Sequence, residues 1–222
     1  MESNGLEARI RALEDRVKAL EQQVRVMHDI EEIKRLQRAY GYYLERWMSE
    51  ELIDLFSDSP EATLKIAAGE FRGKESIARF FRGGGTKEDI YEKRTANPYF
   101  LHQVMQLSPI IDVDPDGKRA WGRWYGFGFN ALVDPDGRIS PNVMNGVYEV
   151  EYVKENGKWK LLKVHWCMRF NAPVDKWTDP SRYLLPKHHP LPFKPDGEGE
   201  TRGIYPSAFS LPFHYKNPVT GK

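Results

Sequence analysis

Apolar residues alternate at spacings of four and three near the start of the chain. They are Leu6, Ile10, Leu13, Val17, Leu20, Val24 and Met27. This 3.5-residue period is typical of the a and d positions of a coiled coil, because a helix that packs on its own domain follows a period of 3.6. Residues 1–28 are therefore predicted to form an oligomerising helix.

Two features of this helix favour different numbers of chains in the coiled coil. β-Branched residues at a with leucine at d favour a dimer. The segments Arg9–Glu14 (RIRALE) and Arg16–Glu21 (RVKALE) instead resemble an arginine-to-glutamate motif of short trimeric coiled coils. Because the motif occurs in two consecutive heptads, we expect a homotrimer rather than a dimer.

A broader apolar stripe begins after Asp29, where the 3.5-residue period ends. It contains Ile30, Ile33, Leu36, Tyr40, Tyr43, Leu44 and Trp47. A stripe of this width is typical of a helix that covers a hydrophobic core. Two short helices are predicted after it, at residues 51–56 and 74–81, and Gly83–Gly85 is predicted to be a loop.

Three turn sequences divide the next part of the chain into strands. Val113–Gly117 and Val133–Gly137 are both Val-Asp-Pro-Asp-Gly, and Glu155–Gly157 contains an Asn-Gly turn. These turns predict an antiparallel meander of four strands, at residues 99–113, 118–133, 143–154 and 158–170.

Large side chains and glycines occupy opposite faces of the second predicted strand. One face carries Trp121, Arg123, Tyr125, Phe127 and Phe129, and the other carries Gly122, Gly126 and Gly128. Three glycines on one side of a central strand indicate strong curvature or a close approach of neighbouring groups. We expect the aromatic face to line the concave side of the sheet.

The end of the chain is rich in proline and aromatic residues. Nine of the fifteen prolines lie beyond Asn171, which disfavours regular structure there. The same stretch contains Trp177, Tyr183, Phe193, Tyr205, Phe209, Phe213 and Tyr215, too many aromatic residues for a solvated tail. Residues 171–222 are predicted to form an extended arm that lies on its own domain or on a neighbouring subunit.

Charge and composition argue against several classes of partner. The 222 residues include 33 Lys+Arg and 32 Asp+Glu, so neither nucleic acid nor an anionic membrane is an expected partner. No apolar run approaches the ~18 residues of a membrane span, and the N-terminus lacks a signal-peptide pattern. The single cysteine, Cys167, fits a reducing compartment. We expect a cytoplasmic protein.

No sequence motif indicates a cofactor or a metal. The chain lacks a glycine-rich nucleotide fingerprint, a nucleophile elbow and a Cys-x-x-Cys pair. His188, His189 and His214 do not have the spacing of converging metal ligands. We therefore expect acid–base chemistry in a mostly apolar pocket, with no cofactor and no metal.

Four segments of the chain match the successive elements of one fold family. They are Ile33–Pro60, Phe71–Phe80 (FRGKESIARF), His102 with the following Ser108–Val113 (SPIIDV), and Gly157–Leu161 (GKWKL). This order resembles the SnoaL-like families of the nuclear transport factor 2-like superfamily, which also contains ketosteroid isomerase and scytalone dehydratase. The resemblance implies an α+β fold over residues 29–170, with a cone-shaped curved antiparallel sheet packed on helices.

The resemblance implies two candidate catalytic residues. His102 lies on the first long strand, where scytalone dehydratase has a histidine facing the pocket, and an imidazole pKa near ~6.5 suits proton transfer. Glu45 occupies the position of the family's first-helix aspartate, which orients that histidine or takes a proton. The chain departs from the pattern at Leu44, where scytalone dehydratase has a tyrosine. A core histidine and a solvent-exposed glutamate are the alternative interpretations.

Phenolic residues are the next candidates. Tyr148 alternates with Glu149 along its strand, which directs it inward, to a position that the family uses for substrate contact. Tyr40 and Tyr43 lie on the helical stripe and are either substrate-binding residues or core residues. Asn145 has the opposite parity to Tyr148 and ranks low.

Arg123 is the candidate cation. On the aromatic face it either stabilises a developing anion or pairs with an acid on the convex surface, because a buried unpaired charge is costly. Arg72 and Arg169 are weaker candidates for the same role. The further candidates for substrate contact are Trp121, Tyr125, Phe127 and His165.

These groups predict a cofactor-independent lyase for a small aromatic substrate. In outline the chain is similar to bacterial lyases that release formaldehyde from lignin-derived diarylpropanes or phenylcoumarans. A dehydratase, or a polyketide cyclase or isomerase, would use the same residues. A non-catalytic trimeric subunit, like the β subunit of ring-hydroxylating dioxygenases, is the alternative from another class. An open aromatic pocket favours catalysis, and a filled one favours assembly.

Overall fold

The described part of the chain contains three α-helices and one curved sheet of six strands. A computed structural model describes residues 2–83, 100–133, 139–176, 179–183 and 191–204, together with residues 185, 207, 209, 211, 212 and 214. Within these ranges the helices are α1 (Glu2–Arg46), α2 (Ser49–Asp54) and α3 (Gly73–Phe81). The strands are β1 (Thr63–Ile66), β2 (Gly69–Arg72), β3 (Leu101–Val113), β4 (Arg119–Val133), β5 (Ile139–Glu155) and β6 (Lys158–Ala172).

The strands form one sheet in the order β2-β1-β6-β5-β4-β3. Neighbouring strands are antiparallel except β1 and β6, which are parallel. The predicted α+β class and the meander of four long strands are confirmed. The short hairpin β1–β2 and its parallel pairing with β6 were not predicted, because four-residue strands leave little pattern in the sequence.

Two of the predicted turns lie within the described residues. Gly117 has a φ of 67° and donates its amide to the Asp114 carbonyl, and Asn156 and Gly157 both have positive φ. A positive φ at both central residues is the geometry that suits an Asn-Gly hairpin turn. The turn predicted at Val133–Gly137 and the loop predicted at Gly83–Gly85 fall largely outside the described residues.

The second half of α1 lies across the sheet and closes its concave side. Ile33, Tyr40 and Leu44 are buried there, as the broad apolar stripe predicts. A buried polar chain ties the helix to the sheet: Trp124 Nε1 donates to the Tyr152 hydroxyl at 2.9 Å, and that hydroxyl donates to Gln37 Oε1 at 2.8 Å. This network fixes α1 against the middle of β4 and β5.

The glycine face of β4, and not its aromatic face, lines the concave side. Gly122 and Gly126 are buried, whereas Tyr125 and Phe129 on the other face are 48% and 42% exposed. A Cβ atom at Gly126 would lie 2.9 Å from Tyr148 Cε2 and against the Trp166 ring. The prediction that the aromatic face lines the cone is therefore wrong: large rings from β5 and β6 fill the space above the glycines.

Irregular pairing changes which side chains face the concave side. On β3, an extra residue sits between Leu107 and Ile110, where Ser108 has a φ of 50°. On β6, Asn145 pairs with Phe170 but Gly146 pairs with Met168, so Arg169 is an inserted residue. Such bulges shift the alternation of side chains by one residue.

The first half of α1 extends beyond the core with its predicted seam uncovered. Leu6, Ile10, Leu13, Val17, Leu20, Val24 and Met27 are each between 47% and 68% exposed in the single chain. A continuous helix of 45 residues carries this seam into the core-packing stripe. Among the described helices, none has a stretch long and apolar enough to cross a membrane.

The described part of the C-terminal arm lies on its own domain. Asp196 donates its amide to the Glu70 carbonyl at 2.9 Å, and Glu200 donates its amide to the Ile66 carbonyl at 2.9 Å. Glu200 is 1% exposed and accepts two hydrogen bonds from the Arg202 guanidinium, at 2.9 and 2.5 Å, and lies 3.1 Å from His165. The carboxylate of Glu200 therefore joins the arm to β6.

Replacing Glu200 by glutamine should destabilise the protein in a pH-dependent way. Hydrogen bonds from the Arg202 guanidinium hold the pKa of Glu200 at about 2, below its ordinary 4.5. A carboxylate whose pKa is lowered on folding stabilises the fold above its unfolded pKa, and this contribution disappears as pH falls toward the folded value. The expected loss is about 1.5–3 kcal/mol at pH 7, since the bonds are charge-assisted.

Denaturant melts between pH 7 and pH 2 measure this effect, with the exposed neighbour Glu198→Gln as the control. The difference between wild type and Glu200→Gln should shrink below about pH 4.5, the unfolded value. A difference that stays constant down to pH 2, or is equal in the Glu198 variant, contradicts the role assigned to Glu200.

Candidate active site

An apolar cavity of about 220 Å³ lies between the helices and the concave face of the sheet. Its aromatic walls are Tyr40, Trp47, Phe80, Phe81, Tyr148 and Trp166, and its other polar side chains are His102 and Asn171. Aliphatic residues from β1, β3, β5 and β6 complete it, and Leu185 from the C-terminal arm closes one side. An apolar cavity of about 150 Å³ is enough to hold benzene, so this one accommodates a substituted aromatic ring.

His102 lies in this cavity, where the resemblance implied it would be. It is on the same face of β3 as the buried Val104, because the two are separated by one residue. Its imidazole meets the edge of the Trp47 ring at a centroid distance of 5.4 Å. An imidazole half-enclosed by aromatic rings can exchange a proton with a molecule bound beside it.

Tyr40 and Tyr148 lie next to each other in the wall of the cavity. Their ring centroids are 6.3 Å apart in an edge-to-face arrangement, and Tyr148 also packs on Trp166 at 4.3 Å. Burial raises the pKa of Tyr40 well above its ordinary value, and the nearby Tyr148 adds to this effect. Burial also raises the pKa of Tyr148, against a hydrogen bond with Gln106 that lowers it. Both phenols are therefore neutral at pH 7 and can donate hydrogen bonds to a ligand.

Three buried asparagines form a hydrogen-bonded row at the same end of the sheet as His102. Asn130 is the direct cross-strand neighbour of His102, and Asn142 pairs with Asn130 on its other side. Asn142 Nδ2 lies 3.5 Å from Asn130 Oδ1, and Asn130 Nδ2 donates to Asn171 Oδ1 at 2.8 Å. The last of the three, Asn171, is the one that reaches the cavity.

Arg123 lies on the outer face of the sheet and not in the cavity. Its guanidinium forms an ion pair with Glu149, its cross-strand partner on β5, and also donates to the backbone carbonyls of Leu211 and Pro212 at 3.3 Å. The prediction of a cone-facing cation is therefore corrected to the alternative, a pair on the convex surface. Arg123 thereby also holds residues 211 and 212 of the C-terminal arm against the sheet.

The aromatic neighbours of Arg123 lie on the same outer face. Trp121 and His165 line a groove of about 500 Å³ beneath the arm, together with paired charges such as Lys163 and Glu151. Tyr125 and Phe127 are farther along this face. Trp121, Tyr125 and Phe127 therefore do not contact a substrate in the cone as predicted, because the face of β4 that carries them is the outer one. The same correction applies to His165, which lies on the outer face of β6. Burial lowers the pKa of His165, although the nearby Glu200 acts in the opposite direction.

Glu45 and Tyr43 lie on α1 but do not line the cavity. Glu45 lines a groove between α1 and β3, together with Tyr42 and Gln106. Its helical position points it about 100° away from Leu44 and about 140° away from Tyr40, which both reach the cavity. Tyr43 packs against the core. The contact between Glu45 and His102 that the resemblance implied is therefore not present.

The weaker cation candidates are also outside the cavity. Arg72 is exposed and pairs with Glu70 at 2.8 Å. Arg169 is exposed, and its guanidinium lies 6.0 Å from the centre of the Tyr125 ring. Among the described residues that line the cavity, the polar groups other than the tryptophan indoles are thus the amide of Asn171, the phenols of Tyr40 and Tyr148, and the imidazole of His102.

Comparison with known proteins identifies the fold family. Residues 25–165, which are more than half of the chain, match the SnoaL-like domain. The chain belongs to the SnoaL-like family. No curated protein gives a significant match.

Solved structures of similar fold support this SnoaL-like assignment. A candidate scytalone dehydratase from Novosphingobium aromaticivorans has a TM-score of 0.53 at 17% identity, covering 68% of this chain and 91% of its own. A hexachlorocyclohexane dehydrochlorinase, LinA type 2, has a TM-score of 0.52 at 17% identity, covering 68% and 93%. At identities this low, the TM-scores show that the three proteins share a fold and show nothing about a shared activity.

Several cavity residues of this SnoaL-like chain were not predicted. Trp166 follows the alternation of β6 and could have been found by counting from the buried Val164. Asn171 could not, because the bulge at Arg169 moves it from the outer to the inner face. Leu185 comes from the arm, where no periodicity indicates a direction.

One group of described residues has the spacing of metal ligands, and it lies outside the cavity. His28, Asp29 and Glu32 on α1 present ligand atoms within 4.8 Å of one another. Asp29 already pairs with the Lys154 ammonium and accepts a hydrogen bond from Trp159 Nε1 at 2.9 Å. The absence of a catalytic metal stays a prediction.

Proposed function

We propose that this SnoaL-like protein is a cofactor-independent lyase that acts on a small phenolic substrate in the cavity. The observation that carries the proposal is the placement of His102 beside two neutral buried tyrosines in an apolar space of about 220 Å³. His102 is the proton carrier, and the phenols of Tyr40 and Tyr148 hold the substrate and stabilise negative charge on its oxygen atoms.

A dehydration uses these groups without any oxidant. His102 takes a proton from the carbon next to the one that carries a hydroxyl group. The C–H electron pair forms the new double bond, and the hydroxyl leaves as water with a proton from the imidazolium or a phenol. The mostly apolar walls lower the dielectric constant around a bound substrate, which strengthens the hydrogen bonds from the tyrosines.

A deformylation uses the same histidine on a different proton. His102 takes the O–H proton of a hydroxymethyl group, and the O–H electrons become the carbonyl bond of formaldehyde. The carbon–carbon bond breaks, its electrons form an alkene, and a hydroxyl on the adjacent carbon leaves as water with the proton that His102 took. Both reactions are redox-neutral, which agrees with the predicted independence from cofactors. Lignin-derived diarylpropanes have the required groups.

The fold comparisons agree with an elimination. The two similar structures are named as a dehydratase and a dehydrochlorinase, which describes the removal of water and of hydrogen chloride. Neither name transfers a substrate to this chain. The aromatic lining of the cavity is the reason for proposing a phenolic substrate.

A panel of phenols with a benzylic hydroxyl, with and without an adjacent hydroxymethyl group, tests the proposed function. Mass spectrometry distinguishes loss of water from loss of water and formaldehyde. A product of unchanged mass would instead favour a cyclase or isomerase. Binding without turnover across the panel would favour the alternative function, a non-catalytic trimeric subunit. The unfilled cavity argues against that alternative, because a filled cavity was expected for it.

Exhaustive chelation should leave turnover unchanged. The proposed steps use His102 and the phenols alone, and no step requires a metal or a nucleotide. The measurement compares kcat before and after dialysis against a chelator, with no cofactor added. Loss of turnover that one added metal ion restores would contradict the proposal and direct attention to His28, Asp29 and Glu32.

We also propose that the protein is a homotrimer, assembled through residues 6–27 of α1. The seam is uncovered in the single chain, and its heptads contain both arginine-to-glutamate motifs. Apolar surface on the outer face of β3 and β4, at Met105, Leu107 and Tyr125, is a second area that neighbouring subunits could cover.

A further inference from the structure

We propose that the side-chain amide of Asn171 donates a hydrogen bond to an oxygen atom of the aromatic substrate and thereby selects oxygenated rings. This inference rests on the proposed function, because it assigns a specificity role within the same cavity. Asn171 is 8% exposed, and it lines the cavity together with Met144, its partner on β5.

The bulge on β6 is what brings Asn171 into the cavity. Trp166 and Met168 line the cavity at alternate positions, so unbroken alternation would direct residue 170 inward and residue 171 outward. The inserted Arg169 reverses this order, and Asn171 faces Met144 on the inner side. Bulges beside active sites commonly redirect a side chain in this manner.

The row of asparagines determines which end of the Asn171 amide faces a ligand. Asn142 donates toward Asn130, and Asn130 donates to Asn171 Oδ1, so each amide directs its nitrogen to the next oxygen. Asn171 Oδ1 is thus occupied. The side-chain hydrogen bond of Asn171 uses its Oδ1, which leaves Nδ2 as the donor for a bound molecule.

This donor discriminates between ligands by their chemistry. A buried amide N–H that meets a carbonyl, phenolic or ether oxygen gains a hydrogen bond, whereas one that meets a hydrocarbon loses its contact with water. The rest of the cavity surface is mostly apolar and binds either kind of ring. Asn171 acts on ligand selection rather than on proton transfer, and Asn130 is its positioning residue.

Calorimetric titration of two single-ring ligands of matched shape tests this role. Acetophenone carries a carbonyl oxygen where isopropylbenzene carries a methyl group. Asn171→Leu should weaken acetophenone binding by about 5–150-fold, the equivalent of ~1–3 kcal/mol for an unmade buried hydrogen bond, while isopropylbenzene binding is retained. Asn145→Leu, on the outer face of β5, is the matched control and should change neither affinity.

The possible outcomes separate this inference from the proposed function. If wild type and Asn171→Leu bind both ligands with equal preference, the role of Asn171 is refuted while the cavity remains a ligand site. If wild-type protein binds neither ligand, the proposed function and this inference are both refuted. If Asn171→Leu does not fold, Asn171→Ala takes its place, and retained isopropylbenzene binding demonstrates an intact cavity. Loss of preference for acetophenone with no lyase activity supports Asn171 and refutes the proposed function.

Discussion

Replacing His102 by alanine should lower kcat on the true substrate by at least about a hundredfold while the protein stays folded. A general acid or base contributes typically ~10²–10⁴-fold to the rate. His102 is the one imidazole among the described cavity residues, and the phenols beside it have raised pKa values, so they stay protonated at pH 7 and cannot accept a proton. No other described group in the cavity can take over the proton.

The matched control is His28→Ala, which removes an exposed imidazole from α1. It should leave kcat within about twofold, because surface substitutions away from the site have small effects. Near-normal turnover in His102→Ala would refute the assignment. Circular dichroism and melting temperature verify that both variants are folded, so that a lost rate reports on chemistry.

The secondary structure of this chain could largely be predicted because local signals agree with one another. The broad stripe from Ile30 to Trp47, the Asp-Gly turn at Gly117 and the Asn-Gly turn at Gly157 each mark an element that the structure contains. The inward direction of Tyr148 followed from the same alternation. Elements with strong periodicity and turn residues are specified locally.

The face of β4 could not be predicted, because it depends on neighbouring strands. Alternation alone identifies two faces but does not say which is concave. The rings of Tyr148 and Trp166 occupy the concave side, so β4 must have glycine opposite them at position 126. Aromatic residues such as Tyr125 were consequently assigned to the wrong side.

Part of the proposed site depends on contacts between residues far apart in the sequence. Asn171 enters the cavity through a bulge that is visible only in the pairing of β5 with β6. Leu185 comes from an arm without periodicity, and Arg123 is neutralised by Glu149, which was assigned to the outer face while Arg123 was expected to line the cone. The charged candidates Arg123 and Arg72 form ion pairs outside the cavity, whereas neutral polar residues line it.

The helix that precedes this domain provides the second large expected effect. Substituting Leu13→Lys and Leu20→Lys together should convert a trimer into monomers, measured as a threefold fall in mass by light scattering. The two leucines are at d positions and are 57% exposed in the single chain. In a coiled coil they would be buried, and burying two lysine charges per chain at a three-chain seam is strongly unfavourable.

Ala12→Lys and Ala19→Lys form the matched control, because they add the same two charges one residue before each leucine, away from the seam. Lysine has nearly the helix propensity of alanine, so this control keeps α1 helical and should keep the mass of a trimer. An equal fall in mass in both double variants would indicate a general charge effect. An unchanged mass in the leucine variant would refute assembly through α1 and leave the exposed face of β3 and β4 as the surface that joins the subunits.

A trimer that separates while kcat stays normal would show that each cavity is complete within one chain, as the lining of the described cavity by a single chain implies.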